Sequence, residues 1–329
     1  NLFFILSLSF SIAEGSYNQI IKKFTEASTG HIQIHKKGYL ENNSFRKTLP
    51  NNSQLDSILS KNFPNILRTK RIIGEALAYH QKKSTPVLVK GILPQQEDKL
   101  TSLTKKITTG RYFSQRPKAK EIIVGSLIAK NLKLKLGSEV ILVGSGYDRS
   151  IANDIFYVVG ILEHPLLNSQ VLLSFNAAQD FFSLREQFHE IMLVSSSYKE
   201  ADLLKEKITA SINSLNLEVS TWKELEKEFY LSMEADKKGN YVVSMIIIFL
   251  VLMVVMNTLM MAFYERRREF GVMISMGTPF SKIFFMILLE VKILTFCGVI
   301  LGLLTAVPIG LWFSNHGILL PEPIEIGGM

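Results

Sequence analysis

YVVSMIIIFLVLMVVMNTLMMAFY, residues 241–264, followed at once by ERRREFGVMISMG, residues 265–277, decides how this chain is read. The first segment is 24 residues long and carries no charge. At about 1.5 Å rise per residue it reaches ~36 Å as a helix, enough to cross a ~30 Å hydrocarbon core with some tilt. The second segment sets Arg266, Arg267 and Arg268 against the end of the first. Arginines flanking a span mark the cytoplasmic side, so the chain is expected to pass inward at Glu265.

A second apolar run follows. Thr278-Pro279 reads as a helix start, the threonine as cap and the proline at the first helical position. Residues 293–313 are then 21 in a row without charge, a second complete span. Glu290 stands at its head beside Lys292. A carboxylate inside a bilayer is costly and tends to be functional, so Glu290 is a candidate functional carboxylate. The competing reading puts it at the interface, next to Lys292 or the arginines. Gly298, Gly302 and Ala306 recur every four residues, the small-xxx-small spacing that lets helices approach closely. Against this stands the general abundance of glycine in membrane helices.

Between residues 14 and 240 the character is that of a water-soluble α+β domain, large enough to bury its own core. HIQIH, residues 31–35, alternates as a strand, and SQLDSILSKNF is a short helix. Strands are expected at residues 71–80, 86–92, 121–125, 137–144, 154–162, 170–174 and 190–196. Helices are expected over QQEDKLTSLTKKI, SLIAKNLKL, residues 175–184 and residues 198–215. Residues 39–50 read as a loop. WKELEKEFYLSMEADKK is expected to run straight on into the membrane span.

The ends carry two further expectations. Residues 1–13, NLFFILSLSFSIA, lack the basic region of a signal peptide and are too short to span. They read as the outer part of a first transmembrane helix whose beginning is absent. The Gly/Pro-rich tail at 315–329 is expected on the outer face, with a further span missing beyond it.

Composition limits the function classes. The 329 residues carry a net charge of +8. Mean hydropathy is +0.20, between that of a soluble domain and of a polytopic membrane protein. The lysines are scattered along the sequence, which suits a solvated surface and membrane flanks, not nucleic acid. One cysteine, Cys297, allows no disulfide within the chain and no cysteine metal site. No phosphate loop, HExxH or GxSxG motif occurs. Ser102 and Lys105 fit S-x-x-K, but the stretch reads as a polar surface helix. His31 and His35 share one side of a strand and are expected at surface or edge positions, with no metal site.

Asn257-Thr258, Glu265-Arg266-Arg267-Arg268-Glu269-Phe270-Gly271, Met276-Gly277-Thr278 and Leu288-Leu289-Glu290 together resemble the signature of FtsX-like ABC permeases. That superfamily of membrane subunits includes MacB-type efflux pumps and the LolC/LolE lipoprotein-release proteins. Gly110-Arg111 with Phe113, the EIIVGSLIAKNLKLKLGSEVIL segment and the FYVVGIL strand resemble, in order, the family's periplasmic core domain.

The resemblance implies a boundary scheme. Residues 1–24 would end a first helix and its stalk, and 25–235 would form the extracytoplasmic domain. Residues 236–264 would be a second transmembrane helix and 283–314 a third. Residues 265–282, between them, would be a cytoplasmic coupling segment docking on a separate ABC ATPase. Glu265 to Gly271 and Gly277 would be the coupling residues, and Asn257, Gly298, Gly302 and Ala306 would pack transmembrane helices. ATP and magnesium would sit on the partner, with no cofactor on this chain and no catalysis by it. A second permease copy or paralogue, membrane lipid, and lipoproteins or a periplasmic adaptor complete the implied partners, all in a bacterial inner membrane. The implied activity is a mechanical stroke serving lipoprotein release. The alternatives are MacB-type efflux and FtsX-like control of a cell-wall hydrolase, and a membrane-anchored enzyme lacks any catalytic cluster.

Overall fold

The structure is a computed structural model that describes residues 14–41, 44–51, 53–114, 119–212 and 215–316. The apolar stretch 1–13 and the tail 317–329 lie outside the described residues. The chain divides into two compact units, Ile20–Glu228 and a second made of residues 1–19 with Phe229–Met329.

The first unit opens with the end of helix α1, residues 14–24, whose last turn widens into a π-helix at Thr25–Thr29. Gly30 stops it at φ 70°, ψ −169°, a conformation essentially reserved for glycine. Strand β1 (Ile32–Lys36) follows, then β2 (Leu49–Pro50) and α2 (Ser53–Asn62). Strands β3 (Leu67–His80) and β4 (Lys83–Ile92) form a long antiparallel hairpin, with Gln81 at φ 53° in its turn. Next come α3 (Pro94–Thr101), a 3-10 turn at Leu103–Lys106 and β5 (Ile107–Gly110). The sequence expectation of one polar helix reaching Ile107 is therefore corrected. Ser102 turns left-handed at φ 50° and ends the helix early.

The middle runs β6 (Glu121–Gly125), α4 (Ser126–Leu132), β7 (Glu139–Ser145), β8 (Ile151–Leu162), β9 (Gln170–Ser174) and α5 (Phe175–Phe181). The Ser174 hydroxyl caps α5 by accepting from the Ala177 N–H. Strands β10 (Gln187–Phe188) and β11 (Glu190–Val194), helix α6 (Ala201–Ile212), β12 (Leu217–Thr221) and α7 (Trp222–Leu225) complete the unit. A 3-10 turn at Tyr198–Glu200 precedes α6, so the helix expected from 198 begins later.

One ten-stranded sheet runs β12-β1-β11-β3-β4-β9-β6-β8-β5, and β7 bridges β3 and β8. The pairing closes a ring, β3-β4-β9-β6-β8-β7, in which β4–β9 and β6–β8 are parallel. Alternation fills the ring's interior: Ala76, Ala78, Val140, Leu142, Phe156 and Val158 are all buried, while residues between them face out. A second cluster of Ile92, Leu103, Ile123, Leu162, Leu167 and Leu172 packs with Tyr112 and Phe113. The expected loop at 39–50 ends in β2, which pairs with β10 as a separate two-stranded sheet.

Among the described residues, α8 (Lys227–Glu265) and α10 (Phe280–His316) of the second unit are the two helices long and apolar enough to cross a membrane. Nearly all their apolar residues in residues 241–312 are exposed, as a lipid-facing surface requires. Between α7 and α8 the backbone breaks at Glu226 (φ −118°, ψ 54°), so the helix expected to be continuous from Trp222 restarts at Lys227. Pro279 precedes α10 and is not its first helical residue, another small correction. Outside the apolar stretch, Tyr17 of α1 receives a hydrogen bond from the Asn240 amide at 3.1 Å.

Candidate functional site

The hydrophobicity of α8 and α10 stops at both sides of residues 265–279, and there the chain folds into a separate helix, α9 (Arg267–Ser275). Arg266 leaves helical geometry at φ −94°, ψ 8°, and separates α8 from α9. Gly277 ends the excursion at φ 89°, a left-handed turn that other residues adopt only with strain. α9 therefore forms a short amphipathic element slung between two apolar rods.

Its buried side is narrow. Phe270 is 7% exposed and stacks on Phe263 at the end of α8, ring centroids 5.5 Å apart and 26° from parallel. Arg266 Nη1 donates to Glu290 Oε2 of α10 at 3.1 Å. That contact places Glu290 beside Arg266, about half exposed. Arg267, Arg268, Glu265 and Glu269 are exposed, together with Val272, Ile274 and Met276. A Cβ added at Gly271 would meet nothing within 4 Å, so this helix face is open. Asn257 is exposed on α8 and Gly298 on α10, while Gly302 and Ala306 are buried. Cys297 is exposed on α10.

A second polar centre, in the α+β unit, escaped the sequence reading. Arg71 of β3 is 1% exposed and lies directly opposite Glu190 of β11 in the ladder. Its guanidinium donates to Glu97 of α3, to Glu190, and to the Ser28 carbonyl in the π-helical turn. His35 Nε2 lies 3.6 Å from Glu190 Oε2, and its ring stacks on Tyr39 at 4.6 Å. Burial alone would raise the Glu190 carboxyl, but His35 and Arg71 hold it down at about 2. Lys90 of β4, in the same centre, is pulled down to about 8 by burial and then by Arg71.

His31 and His35 are both buried, which corrects the expected surface or edge positions. The reason is that β1 lies inside the sheet, between β12 and β11. His31 Nδ1 accepts the Ser195 N–H at 3.1 Å, and burial lowers its pKa to about 4. Phase gave no signal for Arg71: the buried positions of β3 run Ile72, Gly74, Ala76 and Ala78, Ile73 is only half-buried, and Arg71 falls out of step with that alternation.

Residues 3–211 match the description MacB-like periplasmic core domain, and residues 241–327 match FtsX-like permease C-terminal. The chain belongs to this family of ABC transporter permeases. A curated relative is the lipoprotein-releasing system transmembrane protein LolC of Neisseria meningitidis serogroup B (strain ATCC BAA-335 / MC58). It is 19% identical over 247 residues, 73% of this chain and 60% of that protein. The chain thus spans about 60% of the length of that relative. Among solved structures, the periplasmic region of MacB from Actinobacillus actinomycetemcomitans aligns with a TM-score of 0.45 at 16% identity, over 62% of this chain and 94% of that one. The extracellular domain of the noncanonic ABC-type transporter YknZ from Gram-positive bacteria aligns at 0.42 and 14% identity, over 58% and 100%.

Proposed function

We propose that this chain is the membrane-spanning permease subunit of an inner-membrane ABC transporter, in which α9 docks on a separate ATPase and drives the α+β domain outside the membrane. One observation carries the reading. A short helix with an open polar and apolar face is slung between two long apolar helices, fixed to α8 by the Phe270–Phe263 stack and to α10 by Arg266–Glu290. Its exposed Arg267, Arg268 and Glu269 suit a reversible, charge-assisted interface, and Gly271 leaves room for close approach. ATP and magnesium belong to that partner, and a dimer of permeases presents two such helices to two ATPases.

The cargo reading is lipoprotein release, supported by the similarity to LolC. The MacB-like match of the outer domain favours a second reading, efflux of hydrophobic compounds or peptides. Purification of the full chain in mild detergent with its bound proteins tests both. An ABC ATPase with acylated proteins is the expected result. The same ATPase with an outer-membrane channel or adaptor, and no lipoproteins, selects efflux. Absence of any ATPase overturns the docking role of α9.

A further inference from the structure

Two segments far apart in sequence meet at one end of the α+β unit. They are residues 80–83 (HQKK), the tip of the β3–β4 hairpin, and residues 127–136 (LIAKNLKLKL), α4 and the turn after it. Lys83 Nζ donates to the Asn131 carbonyl at 2.9 Å, and His80 Nδ1 lies 2.7 Å from the Glu139 carbonyl. These contacts brace the hairpin tip against α4 and the start of β7.

The fourteen residues of the two segments hold five lysines and no carboxylate, in a chain whose whole net charge is +8. Lys82, Lys83, Lys130, Lys133 and Lys135 are all exposed. Lysines scattered along the sequence thus become a patch in space. The patch also exposes apolar surface, with Leu127 at 48% and Leu136 at 47%. Leucines among clustered lysines, with the exposed Glu139 at their rim, are the composition of surfaces that rest on anionic bilayers: the cations meet headgroup phosphates while the apolar side chains enter the boundary beneath them.

We infer that this end of the domain is a docking surface for an anionic lipid bilayer, its lysines engaging phosphate-bearing headgroups. The patch lies wholly within the Ile20–Glu228 unit and makes no use of α9, so it stands or falls apart from the ATPase reading. Each lysine near such a surface contributes about fivefold in affinity.

The test uses the full chain in phosphatidylcholine nanodiscs, mixed with vesicles of phosphatidylcholine and phosphatidylglycerol at about 7:3, or of phosphatidylcholine alone. Wild type is expected to co-sediment with the anionic vesicles only and to be released at about 0.5 M salt. The combined K82S, K83S, K130S, K133S and K135S variant should lose about 1000-fold or more in affinity at an unchanged thermal midpoint. L127S with L136S should weaken binding but keep its salt dependence. Equal sedimentation with both vesicle types overturns the inference, as does undiminished binding by the five-lysine variant. Full displacement by millimolar inorganic phosphate would also overturn it, marking a free-anion site and not a lipid surface. If the five-lysine variant does not fold, K130S with K133S alone should still lower affinity about 25-fold.

Discussion

Arg71 and Glu97 face each other through two parallel hydrogen bonds, Nε to Oε2 at 3.1 Å and Nη2 to Oε1 at 2.5 Å, with side chains 1% and 2% exposed. Such a fork joins β3 to α3 in a place with almost no water, where Glu190 and the Ser28 carbonyl are the other partners of the guanidinium. Glu97→Gln removes one partner's charge and leaves the guanidinium short of compensation. The expected destabilisation is about 3–5 kcal/mol, read as a lower midpoint in denaturant unfolding. A paired replacement, Arg71→Met with Glu97→Leu, should recover part of that loss, because the Arg71–Glu97 charges go together while Glu190 loses Arg71 and keeps His35. If the double variant is less stable than either single one, that account of the network fails.

Acid should unfold the domain in two stages. His31 has its folded pKa lowered to about 4 from 6.5, so the unfolded chain binds the extra proton first and stability falls as pH drops from 6.5 to 4. Glu190 has a folded pKa of about 2 against 4.5, so its contribution is full above pH 4.5 and is lost between 4.5 and 2. The second stage is worth on the order of 3 kcal/mol. Lys90, held at about 8 against 10.5, predicts a gain in stability as pH rises from 8 to 10.5. Thermal melts across pH, with Glu190→Gln flattening the lowest stage, check the assignment.

Gly271 within α9 and Gly277 just past its end should respond in opposite directions. Gly277 sits at φ 89°, so Gly277→Ala forces a left-handed alanine and should destabilise by about 1 kcal/mol. Gly271 is helical with open space where a Cβ would go, so Gly271→Ala should stabilise the isolated subunit by about 0.5–1 kcal/mol. The same Gly271→Ala should weaken ATPase association and uncouple ATP hydrolysis from transport. Gain of stability with intact coupling would remove Gly271 from the interface.

Gly30 makes a sharper case. A Cβ there would lie 2.4 Å from Met192 Cγ and 2.9 Å from the Leu193 carbonyl, on a backbone at φ 70°. Methionine can move, but the carbonyl belongs to β11 and cannot easily do so. Gly30→Ala should destabilise by at least about 2 kcal/mol, and a midpoint within error of wild type would contradict the packing described.

Much of this fold could be read locally. QVLLS is β9 to the residue, and EIIVG is β6, because each is an apolar run bounded by turn residues. β5 was not legible: Ile107–Gly110 has an exposed, unalternating pattern and joins the sheet only at its edge, beside β8. Closure of the ring was equally hidden, since β3 meets β7 across more than sixty residues and no local period encodes that pairing. The α9 segment was legible because arginines and glycines interrupt two apolar runs. The Arg71 centre was not, because charged residues on a strand read by default as solvated.

Cys297 is the one sulfhydryl in the chain, and it is exposed on α10. A thiol-specific nitroxide therefore attaches at a single address with no residue removed beforehand. Its spectrum reports the polarity around that address, bilayer interior or headgroup. Where two copies assemble, the same label on each becomes a molecular ruler, its dipolar broadening a readout of how far apart the two α10 helices stand with and without nucleotide.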